Sequence, residues 1–322
     1  METETMSHLK QKLNQIPALP GIYKMFDSTG QIIYVGKSKC LKKRVQSYFT
    51  KSAKQPKIER MVFFITDVDY IVTDTHLEAR LLECQLIKEL KPYFNSQMKN
   101  DRRYFYLRLA KSGHSHAMSI VLEREDDTFG PFRRKHLIQS MIEMFTHLFP
   151  IVHETNRYIF KYHTLPEVMN QDDFSRNRES LIQFFSEEKM MQRLIIQLTL
   201  CMNEEAAQFN YERASYYRDL ISGLTYINHV LHDYKQLATS DLIIRIPVQD
   251  GEKLFFVSKS NIILRTHFST LTPAKIDAFL DEGLKTKSKF ACKWDEKANI
   301  DFQNILFSEI QSLPEECILK IL

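Results

Sequence analysis

Hydrophobic and polar positions change period several times along the chain, and each change marks an element. Apolar residues flank the turn signal Asp27-Ser28-Thr29-Gly30, which predicts a β-hairpin with strands at 22–26 and 32–35. Leu41, Val45 and Phe49 recur every four residues and predict a helix over 39–49. The run 61–72 is rich in β-branched and aromatic residues and reads as a third strand. Residues 75–91 return to helical period and stop at Pro92. Strands are expected at 104–109 and 118–123, punctuation at Gly130-Pro131, and a helix over 135–148. The weakly periodic, polar stretch 150–176 reads as a linker or irregular segment. A helical pattern then runs from 178 to 231, broken near Gln208-Phe209-Asn210 into a hairpin. Three short β-type runs follow at 242–247, 254–258 and 262–268, with a helix over 273–284 and mixed structure beyond. The fold class expected is α+β, with no internal repeat.

Composition narrows this little. An apolar share of 43% with 26% charged residues is that of a globular chain. No apolar run approaches the roughly 18–20 residues that span a bilayer, and the first residues lack the apolar core of a signal peptide. Cys40, Cys84, Cys201, Cys292 and Cys317 are scattered without paired spacing, so reduced thiols and a cytoplasmic location are expected.

Charge changes the picture more. The net charge is +4, yet residues 1–110 hold 19 Lys/Arg against 11 Asp/Glu, so the remainder is acidic. Between Lys37 and Arg60 there are nine basic residues and one acid. Such a run is often a solvated face, but it is also the footprint of a polyanion-binding surface.

Three positions stand out chemically. Arg44 and Tyr48, four apart on the expected helix, share a face and can meet one ligand. Arginine suits bidentate phosphate contact. Glu83 is out of place: at about 100° per residue it falls within the apolar arc of Ala79, Leu82, Leu86, Ile87 and Leu90, whereas Glu78 and Glu89 share a polar face. A buried carboxylate demands a cation or strong donors, so a metal ion and a structural salt bridge are both open. For Tyr23 and Tyr34 on adjacent strands, packing and catalysis are both open. A phenol with pKa near 10 is a base at neutral pH only if cations such as Lys37 and Arg44 lower it.

Gly21-Ile22-Tyr23, Tyr34-Val35-Gly36-Lys37, 41–49, Glu78-Ala79-Arg80-Leu81-Leu82-Glu83 and Pro92-Tyr93-Phe94-Asn95 together resemble the GIY-YIG nuclease family, in its UvrC-like branch. Asp101-Arg102-Arg103-Tyr104-Phe105-Tyr106-Leu107 and Phe129-Gly130-Pro131-Phe132 continue the likeness. The resemblance implies a metal-dependent DNA endonuclease that hydrolyses a phosphodiester in nucleotide excision repair, at the 3′-side incision. It makes Tyr23 the general base, with Tyr34, Lys37 and Tyr48 orienting water and phosphate. Arg44 would stabilise transition-state charge, Glu83 hold one Mg²⁺ or Mn²⁺, and Asn95 support the site. Lys37, Lys39, Lys42, Lys43, Lys51, Lys54, Arg102 and Arg103 would bind damaged double-stranded DNA.

Tyr211-Glu212-Arg213-Ala214-Ser215-Tyr216-Tyr217-Arg218-Asp219 is similar to the UVR motif, with Tyr211 where Phe and Ser215 where Ala is usual. Tyr211, Glu212, Ala214, Arg218 and Asp219 would then contact a UvrB-like partner, with UvrA acting upstream. An ordinary helical hairpin built on Leu194, Leu198, Leu220, Ile221 and Leu224 is the other reading. The domains implied are a nuclease domain at 1–100, an extension at 101–150, a linker or helical segment at 151–190, a UVR-like hairpin at 191–235 and a small α/β domain at 236–322. Residues 150–190 contain none of the cysteines that hold an iron–sulfur cluster in UvrC, so no cluster is expected. Residues 240–268 faintly resemble the segment ahead of UvrC's second, RNase H-like nuclease, but Asp241, Asp277 and Asp281 read as surface or capping residues, so one active site is expected. A catalytically weak paralogue that binds UvrB, and a nuclease of mobile DNA, are the alternatives.

Overall fold

The computed structural model describes residues 2–50, 55–99, 104–112, 117–148, 150–155, 157–165, 168–233, 240–289 and 296–321. The chain divides into two compact units, residues 1–101 together with 237–322, and residues 102–236.

The first unit opens with α1 (Glu2–Gln15), β1 (Gly21–Phe26), β2 (Ile32–Ser38), α2 (Leu41–Ser47), α3 (Pro56–Phe64), β3 (Asp67–Val72) and α4 (His76–Leu90). The strands form an antiparallel sheet in the order β2-β1-β3. The hairpin turn closes as its residues predict: the Asp27 carboxylate accepts from the backbone N–H groups of Thr29 and Gln31, and Gly30 takes a φ of 78°. Leu9, Leu13, Met25, Leu41, Val45 and Met61 meet in one apolar core. The strand expected over 61–72 begins only at Asp67, and its first residues end α3. Pro56 starts that helix, and Ile58, Met61, Val62 and Ile65 turn one face to the core at helical spacing. Thr75 and Glu78 form a capping box that starts α4.

Two features of β2 set up the site. Gly36 lies directly across from Tyr23, and a Cβ on it would stand 2.4 Å from the tyrosine's Cζ and hydroxyl oxygen. The ring therefore lies over the strand only because position 36 has no side chain. On its other side β2 is a sheet edge, yet its inner groups are paired. The N–H of Phe94 donates to the Ile33 carbonyl at 2.9 Å. The Asn95 amide donates to the Val35 carbonyl at 2.8 Å and accepts from the Val35 N–H at 2.9 Å. Glu83 Oε1 accepts from the Lys37 N–H at 3.1 Å.

The second unit carries β4 (Phe105–Leu109), β5 (Met118–Val121), β6 (Thr128–Phe132), α5 (Lys135–Phe145), β7 (Val152–Glu154), β8 (Arg157–Ile159), α6 (Gln171–Ser186), α7 (Glu188–Ala207) and α8 (Tyr211–Asn228). Gly130-Pro131 falls inside β6 rather than between elements, at an edge of the sheet β5-β4-β6, where a missing N–H is tolerated. The stretch 150–176 is more ordered than its composition suggests: β7 and β8 form a small hairpin, and α6 starts at Gln171 with Asn170 as its cap. Tyr158, Phe174, Phe184 and Phe185 from this region are core residues.

The first unit is completed by β9 (Asp241–Val248), β10 (Gly251–Ser258), β11 (Asn261–Phe268), α9 (Pro273–Lys289), α10 (Glu296–Ser312) and β12 (Ile318–Ile321), the sheet running β11-β10-β9-β12. This segment packs on α4. Lys253 pairs with Glu78 at 2.7 Å and Asp74 at 2.5 Å, Lys88 with the buried Asp301 at 3.2 Å, and Arg80 with Glu309 at 2.8 Å. Glu78, expected on an open polar face with Glu89, is buried by these contacts. Asp241 is likewise engaged, in an ion pair with Lys287.

Gly36→Ala should lower stability by about 1–3 kcal/mol, because the Tyr23 ring must move to admit a methyl group. Asn95→Ala strands the buried N–H and carbonyl of Val35 and should cost about 1–3 kcal/mol as well. Both appear as a lower urea midpoint at unchanged slope; an unshifted midpoint would refute the packing or the edge pairing respectively.

Candidate active site

A cavity of about 300 Å³ opens beside the sheet, and Tyr34, Arg44, Tyr48, Glu83 and Asn95 share its wall with Lys57, Met61, Ile87 and Phe94. Five of the seven catalytic candidates thus converge on one space. Tyr23 sits behind them, fully buried, its hydroxyl 2.8 Å from that of Tyr48. The rings of Tyr23, Tyr34 and Tyr48 form a triangle with centroids 5.9–6.3 Å apart. Arg44 lies across the Tyr48 ring, 5.0 Å from its centroid, and packing sets that geometry: Leu41 and Val45 bury the opposite side of α2.

The electrostatics correct one expectation. Burial raises the Tyr23 pKa well above the usual phenol value, and the neighbouring tyrosines add to the rise; Arg44 opposes it with a smaller effect. Tyr34 is shifted upward by the same causes, burial first and Tyr48 next. The cations near this pair do not make either phenol acidic, so in the resting site both are neutral hydrogen-bonding groups. Glu83 behaves as its place in an apolar arc predicts: burial raises its pKa, offset in part by Lys37, the Lys37 N–H, Arg80 and Arg44. It has no ion-pair partner within contact distance among the described residues, so the structural salt bridge left open by the sequence is not formed.

Lys37 is placed differently from expectation. Its backbone N–H holds Glu83, while its ammonium turns toward His76 Nε2 at 3.5 Å instead of lining the cavity. Burial lowers the Lys37 pKa, and the same effect with Lys37, Arg80 and Lys39 nearby takes His76 down to about 4. His76 is therefore a neutral acceptor for Lys37 at pH 7. Sequence reasoning passed over it, although His76, Arg80 and Glu83 recur at four and three residues on α4 and share a stripe. Lys57, also missed, stands on the cavity rim where the basic run continues into α3.

Lys39, Lys42 and Lys43 are exposed beside α2, as a DNA-contacting surface requires. Lys51, Lys54, Arg102 and Arg103 lie outside the described residues. In the second unit, Leu194, Leu198, Leu220 and Leu224 are core residues, while Phe209 and Tyr211 at the hairpin tip are 77% and 65% exposed. Ala214 is buried, and Glu212, Arg218 and Asp219 are exposed, the last two paired with each other.

No group of three or more His, Cys, Asp or Glu side chains gathers among the described residues. A magnesium-type site does not need one: Mg²⁺ keeps several waters and accepts one or two carboxylates. Glu83, desolvated, on the cavity wall and without a cation at contact distance among the described residues, fits that role.

Residues 19–96 match the UvrC-like GIY-YIG domain. UvrABC system protein C of Cyanothece sp. is 34% identical over 234 residues, 67% of this chain and 37% of the relative. That of Acetivibrio thermocellus is 30% identical over 288 residues, 82% of this chain and 45% of the relative. The chain spans less than half the length of these curated relatives. A crystal structure of the GIY-YIG N-terminal endonuclease domain of UvrC from Thermotoga maritima, bound to magnesium, is 31% identical, covers 28% of this chain and 97% of that one, and superposes with a TM-score of 0.26. Residues 19–96 of the chain thus form a UvrC-like GIY-YIG domain.

Proposed function

We propose that this chain is a DNA endonuclease of the UvrC type, which hydrolyses one phosphodiester on the 3′ side of a lesion after a UvrB-like partner has located it. The observation that carries the reading is the convergence of Arg44, Tyr34, Tyr48 and Glu83 on one cavity. Arg44 would bind the scissile phosphate and stabilise the charge that develops on it. The hydroxyls of Tyr34 and Tyr48 would orient the attacking water, and Tyr23 would hold Tyr48 through their mutual hydrogen bond. A divalent cation held by Glu83, Mg²⁺ or Mn²⁺, would polarise phosphate and water. Lys37 positions Glu83 through its N–H. The basic rim of Lys39, Lys42, Lys43 and Lys57 would take the neighbouring phosphates. The exposed Phe209 and Tyr211 at the hairpin tip favour an aromatic contact with the partner.

Arg44→Ala and Glu83→Gln should each reduce incision of lesion-bearing duplex by about 10²-fold or more, in the presence of Mg²⁺ and the UvrA and UvrB partners. Activity retained by either variant would overturn the assignment.

Glu83→Gln also has a stability signature. The folded pKa of Glu83 lies above the unfolded value of 4.5, so the folded state holds its proton more tightly and loses stability as pH rises through that shifted value. Glutamine keeps the acceptor for the Lys37 N–H without the desolvated charge. The variant should melt higher than wild type at pH 7, with the gap closing as pH falls from the raised folded pKa to 4.5. A lower melting temperature at pH 7 would contradict the desolvated carboxylate.

A further inference from the structure

Beside the cavity, four aromatic rings form a continuous strip. Tyr93 meets Phe94 with ring centroids 5.0 Å apart, Phe94 meets Phe64 at 6.2 Å, and Phe64 meets Phe63 at 5.5 Å. Phe94 is buried and belongs to the cavity wall, so the strip is rooted in the candidate active site. Outward from it the rings become open to solvent: Tyr93 is 70% exposed and Phe63 84%. A single exposed aromatic residue needs no explanation, but a connected set leading out of a nuclease cavity does.

The surroundings say what the strip faces. Lys57 lines the cavity and lies on the same face of α3 as Phe64, two turns along, and Arg60 is exposed between them. Lys99 donates to the Tyr93 carbonyl at 3.0 Å. Burial, and after it the charge of Lys57, lowers the Lys99 pKa. Apolar rings interleaved with cations match a strand of nucleic acid, whose bases offer π-faces and whose backbone offers phosphates. In regular duplex those faces are already stacked on one another.

We propose that Phe63, Phe64 and Tyr93, anchored on the buried Phe94, form a stacking platform for unpaired bases next to the scissile phosphate. The substrate of this site is then a locally unstacked DNA strand, with Lys57 and Lys99 holding its backbone. This rests on the nuclease reading for its location, but the platform can be tested without cleavage.

The test uses the full chain and single-stranded and duplex oligonucleotides carrying one central 2-aminopurine, whose fluorescence falls on stacking. Wild type should quench the probe in the single strand. Phe63→Ala and Tyr93→Ala should each weaken single-strand binding by about 5- to 150-fold, the range set by losing one base–aromatic stack. Duplex binding should change less than about twofold, and Phe63→Trp should restore the quench. Both side chains are exposed, so the melting temperature serves as a fold control and should not move. Unchanged single-strand affinity in both alanine variants would sink the proposal, as would an equal loss on single strand and duplex. Normal DNA binding with loss of UvrB capture would reassign the strip to a protein partner and overturn it too. Incision of lesion-bearing duplex by the wild type, with Mg²⁺ and the UvrA and UvrB partners and measured in parallel, separates the two readings. Quenching by a wild type that never incises would retain the platform and discard the nuclease.

Discussion

The exposed side of β2 is the constraint on which the site depends. An edge strand presents N–H and carbonyl groups that must find partners once covered. Here no further strand supplies them. The backbone of Phe94 and the side chains of Asn95 and Glu83 take the positions a neighbouring strand would occupy, bonding Ile33, Val35 and Lys37 in turn. Two candidate functional residues are thus fixed by the pairing demand of the sheet. Asn95 spends its donor and one acceptor position on Val35, so its contribution is to hold the strand that presents Tyr34. Glu83 gives Oε1 to Lys37 and keeps its other oxygen for whatever enters the cavity.

The same arrangement explains the direction of the electrostatics. Crossing Gly36, the Tyr23 ring packs into the core, and its hydroxyl finds Tyr48 rather than water. Burial then outweighs the field of Arg44, and the charged forms of Tyr23, Tyr34 and Glu83 are disfavoured. A carboxylate raised in pKa beside neutral phenols and one arginine is poised for a cation and an anion together. That is the combination a phosphate with its metal ion would bring.

Much of this was legible because local chemistry and tertiary structure agree. The Asp27–Gly30 turn, the capping box at Thr75 and Glu78, and the helical period around Leu41 and Val45 each specify their own geometry. Glu83 was legible for the opposite reason, as a charge inside an apolar arc. What escaped depended on distant residues. The β-rich composition of 61–64 was overridden by Pro56 and by core contacts at helical spacing. Glu78 read as solvated because the residues that pair with it, Lys253 and Arg265, lie far along the chain. Residues 150–176 read as linker because Tyr158 and Phe174 are single anchors without a period. Lys37 read as a phosphate ligand because a motif specifies position along a strand and says nothing of where a long side chain turns; His76 decides that.

Helix α4 is therefore held from both sides by different physics. Its inner face gives Glu83 to β2, in a desolvated setting that costs stability. Around the rest of the helix Lys253, Asp301 and Glu309 form ion pairs with Glu78, Lys88 and Arg80, the last on the same stripe as Glu83. Buried pairs of this kind contribute little net stability against apolar substitutes, but breaking one leaves an uncompensated charge, so they penalise any shift of the helix. Because Arg80 lies one turn from Glu83 and close enough to act on its charge, a displaced α4 would move the carboxylate and its nearest cations together. The residues after 237 thus bear on the site without lining it: they fix the helix that presents Glu83 to the cavity.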